Sequence, residues 1–451
     1  MFARCAVVVL LFAISDVRAA ESTNAMPWGE RPLSLADAIN IALEHNYTIQ
    51  RGKHDLEAAH GVAVQTRAIA LPKLRATGDY FATDQTENFN FGPGAPNVQF
   101  EADQRWSATL RLVQSIYEGG RIKSGLRASR FVRQQALFQH QAVIADALLA
   151  VRTAYYDVLL GLQQISVQEA SIALLEKELH DNQKRFEAGT VPQFNVLRAE
   201  VELASARPRL IRARNSYRIA KNNLLHQLGY EIPANVWENI PLELSDRLEA
   251  EPVEIELSPA LLQAVAHRPE LEALRVAERL RGEDIVAARA GYKPSVQLLA
   301  GYGSRSAQFG DDLTRDISGW HAGAQLNWDI FDGALTKGKV QQARALHERT
   351  RTEVEDTTRQ IELEVRTAYS SFIEAREVLE SQRKVQEQAE ESLRLANSRA
   401  NAGTGTQLDV LNAQTALTQA RTTQIQAARD YLVARARLIR AIGSETPRAQ
   451  P

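Results

Sequence analysis

The chain has 451 residues, with 53 Lys and Arg against 55 Asp and Glu. The resulting net charge of −2 argues against a general nucleic-acid binder, which usually carries a basic surface. Only 15 prolines and 24 glycines interrupt a sequence rich in Ala, Leu, Gln, Glu and Arg, so long helices are favoured over compact mixed domains.

Residues 1–19 have the pattern of a secretory signal peptide. Arg4 supplies a positive start, an apolar run extends from Cys5 to Ile14, and Ala19 ends a small-x-small cleavage site. A frayed N-terminal helix is the alternative. Cys5 lies too early to be a lipobox cysteine, so we expect a non-lipidated mature chain without any thiol, disulfide or cysteine metal site. No other segment approaches the roughly 18 apolar residues of a membrane helix.

The first predicted unit covers residues 20–229. Ser34 and Asp37 resemble a capping box at the start of its first helix, which Pro72 ends. Pro208 lies inside its last helix, where we expect a kink or an interruption because proline lacks the backbone donor. The predicted elements are a helix over about 34–71, strands over about 72–84 and 103–117, and helices over about 120–188 and 193–229.

A linker over residues 230–257 contains three prolines and separates this unit from a second one, 258–443, which is followed by a tail over 444–451. The second unit has the same order of elements. Its predicted elements are a helix over about 259–292, strands over about 294–306 and 318–332, and helices over about 334–402 and 406–443.

An internal duplication explains this order. Ala-Gly-Thr-Val-Pro-Gln-Phe-Asn-Val-Leu begins at Ala188, and Ala-Gly-Thr-Gly-Thr-Gln-Leu-Asp-Val-Leu begins at Ala402, an offset of 214. Upstream the offset is 222, as between Tyr80 and Tyr302, so the first copy carries 8 extra residues, which a longer loop explains. In each copy the helix before this turn has a narrow apolar seam typical of a coiled coil, and at nearly 70 residues it would be on the order of 100 Å long.

Strand patterns decide between a coiled-coil spacer and a channel. Apolar and polar residues alternate over about ten positions with an aromatic near an end, as in a membrane β-barrel strand, although a half-buried sheet packed on a helix gives the same alternation. Four strands cannot close a barrel, so either the sheet is soluble or several chains share one barrel. The shared barrel is the better explanation, because the chain also has a signal-peptide pattern and an internal repeat. The predicted membrane-interface aromatics are Tyr80, Trp106, Tyr302 and Trp320.

The order and duplication of these features resemble the TolC family of outer membrane efflux proteins. The resemblance covers nearly the whole chain after residue 19 and includes the strand ends at Tyr117-Glu118-Gly119-Gly120 and Phe331-Asp332-Gly333 and the two Ala-Gly-Thr turns. It implies a mostly α fold with β strands, in which each copy is a strand pair plus a long coiled-coil helical hairpin. It also implies a homotrimer, in which a twelve-stranded β-barrel continues into a periplasmic α-helical barrel. The linker would join the two copies and run around the outside of the helical barrel.

In such proteins the hairpin turns form a periplasmic tip where the channel narrows. By resemblance, Asp409 matches the constriction aspartate, and three copies would form a ring that favours cations and could bind a metal ion. The second gate aspartate of some members is Asn412 here, the first-copy counterpart of Asp409 is Asn195, and an arginine latch corresponds to Gly405. The alternative for Asp409 is a helix N-terminal residue favoured by the macrodipole.

The resemblance also implies partners. These are a periplasmic adaptor, an inner-membrane pump of RND, ABC or MFS type, and outer-membrane lipid, with no nucleic acid, cofactor or resident metal. The residues implied in adaptor docking at the hairpin tips are Gly189, Val196, Leu197, Gly403, Val410 and Leu411.

No catalytic constellation is present in the sequence, since the nine histidines are scattered without a His-Glu-x-x-His motif, so we expect no enzyme. Two functions remain. The first is an outer-membrane exit duct of a tripartite efflux or type I secretion system, which conducts substrate passively. The second is a periplasmic coiled-coil spacer or adaptor without its own pore. The cargo is not encoded in any motif.

Overall fold

The structure, a computed structural model, describes residues 31–82, 104–232, 240–251, 253–306 and 316–444, with the short pieces 88–89, 93, 98–99, 236 and 313–314. The predicted signal peptide lies outside the described residues, as does most of the predicted tail. Within the described part the chain is mostly helical, with one principal β-sheet.

The first helical segment is two helices, where the sequence predicted one. Helix α1 covers Leu35–His45 and helix α2 covers Tyr47–Arg67, followed by a short 3-10 turn. Ser34 caps α1 through a 3.1 Å hydrogen bond that its Oγ accepts from the N–H of Asp37. The break comes at Asn46, whose extended backbone ends α1 while its side chain accepts a 2.8 Å hydrogen bond from the N–H of Thr48. Asparagine in this position stops one helix and caps the next.

The corresponding segment of the second repeat is also divided. Helix α5 covers Leu257–His267 and helix α6 covers Pro269–Arg289. The division falls at Arg268, which is extended because a residue before proline is disfavoured in the helical region. The two repeats therefore share the same break at equivalent places but achieve it with different residues.

Two long helical hairpins make up most of the molecule. The first joins α3, Arg121–Glu187, to α4, Gln193–Leu228, and the second joins α7, Leu335–Asn401, to α8, Gln407–Ile442. Within each hairpin the two helices pack along each other, and α3 also packs against α6 and α8, which ties the repeats together. At about 1.5 Å per residue, the 67-residue helices α3 and α7 are about 100 Å long.

Pro208 does not interrupt its helix. Helix α4 continues through it from residue 193 to residue 228, so of the predicted kink or interruption, the interruption does not occur. The proline ring removes one backbone N–H, which would otherwise donate a hydrogen bond to the carbonyl of Ala204. Helix α4 packs along α3.

The principal sheet is antiparallel and combines both repeats. Its strands are β1, Lys73–Ala82; β4, Gln104–Glu118; β5, Ser295–Ser306; and β6, Asp316–Asn327; they lie in the order β1-β4-β5-β6. A separate short pair, β2 (Asn88–Phe89) and β3 (Val98–Gln99), lies in the first-repeat connection, which accounts for the longer loop predicted there. The junction of the repeats within the sheet is the β4–β5 pair.

The strand register sorts side chains onto two different faces. Ala76, Leu110, Tyr302 and Trp320 are aligned across the four strands and share one face. The neighbouring row, on the opposite face, contains Arg75, Arg111, Gly301 and His321. Because side chains alternate along a strand, one face is largely apolar and the other polar, as the sequence pattern predicted.

A one-residue bulge keeps this separation to the end of β4. The register shifts between Ser115 and Tyr117, which leaves Ile116 as the extra residue. Tyr117 then pairs with Val296 and joins the apolar face, whereas without the bulge it would point to the polar one.

The last predicted strand is shorter than expected. The sequence pattern extended it to residue 332, but β6 ends at Asn327, which pairs with Ser295, the first residue of β5. Pro294 precedes that residue and has no N–H to continue the ladder. The indole of Trp328 instead donates a 3.2 Å hydrogen bond to the carbonyl of Tyr292.

The main hydrophobic core lies where the described part of the linker crosses the helices. Leu33 forms a parallel bridge with Leu244, and both are held against the helical bundle. The hydroxyl of Tyr155 lies 2.9 Å from the carbonyl of Leu33, and the hydroxyl of Tyr431 donates a 3.0 Å hydrogen bond to the carbonyl of Glu251. Both tyrosines are fully buried, so the linker residues 240–251 form part of the folded core.

Candidate functional site

The two helical turns lie at the end of the hairpins remote in sequence from the strands. Gly189 has a φ of +70° and Gly403 one of +74°, a left-handed conformation that glycine adopts at low cost. After each glycine, the N–H of Thr190 or Thr404 donates to the carbonyl five residues earlier, at 2.8 and 3.0 Å. Both turns therefore end a long helix in the same way and reverse the chain, as the sequence predicted.

Asp409 forms a capping box that only the second turn has. Its Oδ2 accepts hydrogen bonds from the N–H of Thr406 at 2.9 Å and from the hydroxyl of Thr406 at 2.7 Å, and its own N–H donates to Thr406 Oγ1. These hydrogen bonds from Thr406 lower the pKa of the Asp409 carboxyl from its ordinary value, so it stays ionised at neutral pH. The first turn has Pro192 and Asn195 at these positions, and Pro192 provides no side-chain cap.

The predicted gate residues do not come together within one chain. Asn195 lies in a groove of about 650 Å³ between the two turns, where its carbonyl accepts a 3.4 Å hydrogen bond from Gln407 Nε2. Asp409 and Asn412 are exposed on α8 and lie outside the lining of this groove. In a single chain, then, Asp409 has the helix-capping role that was the alternative to a gate.

Gly405 leaves no room for a side chain. A Cβ at this position would lie 2.9 Å from Cβ of Arg399 and 3.0 Å from the backbone nitrogen of Ala400. An arginine latch at residue 405 would thus require a different turn from the one observed.

The predicted docking residues divide into buried and exposed ones. Val410 and Leu411 are only 2% and 4% exposed, so their side chains cannot contact a partner while the hairpins stay packed. Leu411 packs against Leu175 and Leu203 of the first hairpin. By contrast Leu197, the first-repeat counterpart of Leu411, is 51% exposed. Gly189 and Gly403 are exposed, and Val196 is half-buried.

Sequence reasoning missed two exposed apolar residues at the turns. Phe194 is 66% exposed and Leu408 is 40% exposed, and they occupy equivalent positions in the two ten-residue motifs. An apolar residue at the same place in both motifs was the signal that could have identified them. Together with Leu197 they place apolar surface at this end of the molecule.

The sheet provides a second functional surface. Trp320 and Tyr302 are paired across β5 and β6 on the apolar face, and Tyr80 and Trp106 are paired across β1 and β4 on the same face. Trp320 is 80% exposed, although burial of an indole in apolar surroundings is strongly favoured. An apolar sheet face that protein does not cover needs another apolar environment.

Two features are absent from the residues that the structure describes. Among these residues, no group of three or more His, Cys, Asp or Glu side chains could hold a metal ion within one chain. In the same part of the chain, none of the helices combines the length and the apolar character needed to cross a membrane.

Comparison with known proteins gives consistent matches to one family. A family model described as outer membrane efflux protein matches residues 38–230 and 260–444. The chain is 25% identical over 416 residues to the alkaline protease secretion protein AprF of Pseudomonas aeruginosa, covering 90% of this chain and 83% of AprF. It is 23% identical over 430 residues to the outer membrane protein TolC of Escherichia coli, covering 91% and 83%.

Solved structures show the same fold. The Campylobacter jejuni CmeC outer membrane channel matches with a TM-score of 0.78 at 16% identity, covering 92% of this chain and 87% of CmeC. A match over this share of both chains shows that they have the same fold.

Proposed function

This chain belongs to the outer membrane efflux protein family, and from that premise we propose that three copies assemble into one continuous duct. As a member of this family it is an outer-membrane exit duct of a tripartite efflux or type I secretion system. Family members are channels, and the chain's own geometry supports this role through one observation above all. That observation is a four-stranded sheet with an exposed apolar face and two open edges.

The open edges support the trimer. In the described sheet β1 and β6 each have a neighbour on one side only. Within lipid the backbone groups of both edges must be paired, and about eight strands is the smallest barrel that closes. Three chains would supply twelve strands, with β6 of each chain pairing with β1 of the next. The polar face of each sheet would then line the lumen and the apolar face would contact lipid.

Edge pairing can be tested with cysteines, because Cys5 is the only cysteine of the chain and falls within the proposed signal peptide. A Thr77→Cys substitution in β1 combined with single cysteines scanned along β6 should give disulfide-linked trimers at one register. Single-cysteine variants are the controls. If no cysteine pair gives disulfide-linked trimers, or if the protein behaves as a soluble monomer, the shared barrel is refuted.

A coiled-coil spacer or adaptor without a pore is the alternative function. The two proposals differ in how the protein is held at the membrane. A spacer should be released by salt or carbonate, whereas a barrel with Trp320 and Tyr302 in lipid should need detergent. We further propose export through the signal peptide at residues 1–19 and a non-lipidated mature chain in the outer membrane, extending into the periplasm.

For the tip, we propose that three Asp409 carboxylates form a cation-binding ring at the periplasmic constriction. Asp409 is exposed at the hairpin turn and Thr406 holds its carboxylate there, which supports this placement. Asp409→Asn removes the charge and should weaken block by divalent or trivalent cations in planar bilayers. Thr406→Val is the matched control, since it removes the cap but keeps the charge. Equal block in the wild type and Asp409→Asn would exclude Asp409 from the pore.

At the same end, we propose docking of a periplasmic adaptor that connects the duct to an inner-membrane pump of RND, ABC or MFS type. The exposed apolar side chains of Phe194, Leu197 and Leu408 support this site. A photo-crosslinking residue at Phe194 or Leu408 should capture a co-expressed cognate adaptor. The same residue at Val410, which is buried, should not. Capture at Val410 alone would contradict the proposal.

A further inference from the structure

Charge is distributed very unevenly between the two faces of the sheet. All the lysines and arginines of β1, β4, β5 and β6 lie on the polar face. The acids on that face are Asp79 and Glu118, near opposite ends of the sheet, whereas Asp316 lies on the other face. The basic residues are Lys73, Arg75, Arg105, Arg111 and Arg305.

Arg75 and Arg111 lie directly opposite each other in the β1–β4 pair. Like charges in this position destabilise a sheet. Neither guanidinium has an ion pair within the described part of the chain, and both residues are exposed. The acids of this face lie in other rows of the sheet, where Asp79 pairs with Ser107 and Glu118 pairs with Ser295. Two adjacent guanidinium groups are thus left without a counter-charge.

The same row of the sheet adds an imidazole. Arg111 is opposite Gly301, which in turn is opposite His321. A Cβ at Gly301 would lie 2.6 Å from Cε1 of His321, so the ring lies across the glycine and leans toward Arg111. The glycine creates the space for this contact. Arg75, Arg111 and His321, here termed the basic row, therefore lie in one row across the polar face of each chain's sheet.

We propose that the basic row binds oxyanions and gives the outer part of the duct a preference for anionic cargo that carries phosphate or carboxylate groups. This inference depends on the proposed trimeric barrel, which turns the polar face to the lumen. Arginine facing lipid at mid-barrel would be strongly destabilising, which favours the same orientation. Each guanidinium offers a planar pair of N–H donors that matches carboxylate and phosphate oxygens. Three basic rows around one lumen act as charged rings do in anion-selective pores.

Tripolyphosphate is a suitable probe, and the double variant Arg75→Gln/Arg111→Gln is the central test. Tripolyphosphate added from the extracellular side should block the wild-type trimer in planar bilayers, and the double variant should need at least about tenfold more of it, because charge-assisted bonds to both arginines are lost. Arg75→Lys/Arg111→Lys keeps both positive charges but loses the planar pairs of N–H donors. The tripolyphosphate concentration that it needs for block should therefore lie between those of the wild type and the Gln double variant. Arg305→Gln on the same face is the matched control and should stay close to wild type.

Calorimetric titration of tripolyphosphate into the detergent-solubilised trimer gives a second measurement that does not require an open tip. Binding to the wild type with at least about tenfold weaker binding to the Gln double variant would support the basic row. Equal affinity in the two, or no binding to an intact wild-type trimer, would overturn it. Failure to form a trimer would instead refute the proposed duct, so the two failures can be told apart.

Discussion

Leu411 and Leu197 offer a direct test of how the two hairpins are held together at the tip. They occupy the same position in the two copies of the ten-residue motif, yet Leu411 is 4% exposed and Leu197 is 51% exposed. Leu411 packs between the hairpins, in a cluster with Leu175, Leu203 and Ala206. Leu411→Ala removes the one member of this cluster that the second hairpin supplies.

The magnitude follows from the burial. Replacing a fully buried leucine by alanine costs about 2–5 kcal/mol, from lost transfer free energy and the cavity left behind. The cluster is small and lies near a helical turn, so we expect about 3 kcal/mol, which corresponds to a roughly hundredfold larger population of the open tip. Leu197→Ala should change this equilibrium by less than about 0.5 kcal/mol, because that side chain is largely in solvent.

Amide hydrogen exchange by mass spectrometry measures this opening locally. Peptides that cover the cluster around Leu203 and the start of α8 should exchange faster in Leu411→Ala and at the wild-type rate in Leu197→Ala. Peptides from the main core near Tyr431 should be unchanged in both. If the two variants exchange alike at the tip, the packing of Leu411 does not hold the hairpins together and the reasoning fails.

Two further predictions concern the core. Tyr431→Phe removes the hydroxyl that accepts a 2.9 Å hydrogen bond from the N–H of Val253, and we expect it to lower the stability by about 1 kcal/mol. The amide of Val253 should then exchange faster with solvent. Unchanged exchange of this amide would contradict the prediction. Burial raises the pKa of Glu270, but its ion pairs with Arg440 and Arg268 outweigh burial and lower the pKa below the ordinary 4.5. Its stabilising contribution is therefore complete above about pH 4.5 and is lost as the pH falls through the lowered pKa. The melting temperature should fall more between pH 5 and pH 3 in the wild type than in Glu270→Gln, and parallel curves would refute this.

Much of the fold could be predicted because backbone requirements leave local signals. Gly189 and Gly403 indicated the turns, and both have the positive φ that only glycine adopts at low cost. Strand alternation indicated a sheet with one apolar face, and the register has that property. The breaks at Asn46 and at Arg268 were both missed, because a helix cap and an N1 proline are compatible with a helical pattern that continues on either side of them.

The candidate site was less predictable, because its properties depend on which element lies beside each residue. Nothing in the two motifs distinguishes Leu197 from Leu411, since both follow Val in an otherwise similar stretch. Their difference in burial arises from the packing of α8 against the first hairpin. A sequence pattern reports the periodicity of a helix but not the identity of its neighbour.

The two repeats differ for the same physical reason. A duplicated unit keeps the residues that its own backbone needs, so the glycines of both turns remain. It can diverge wherever a side chain meets the other repeat, because there the two copies have different neighbours. Leu411 has apolar neighbours in the first hairpin, whereas Leu197 is largely exposed to solvent. The proposed basic row depends on the same asymmetry, because Arg75 and Arg111 come from one repeat and His321 from the other.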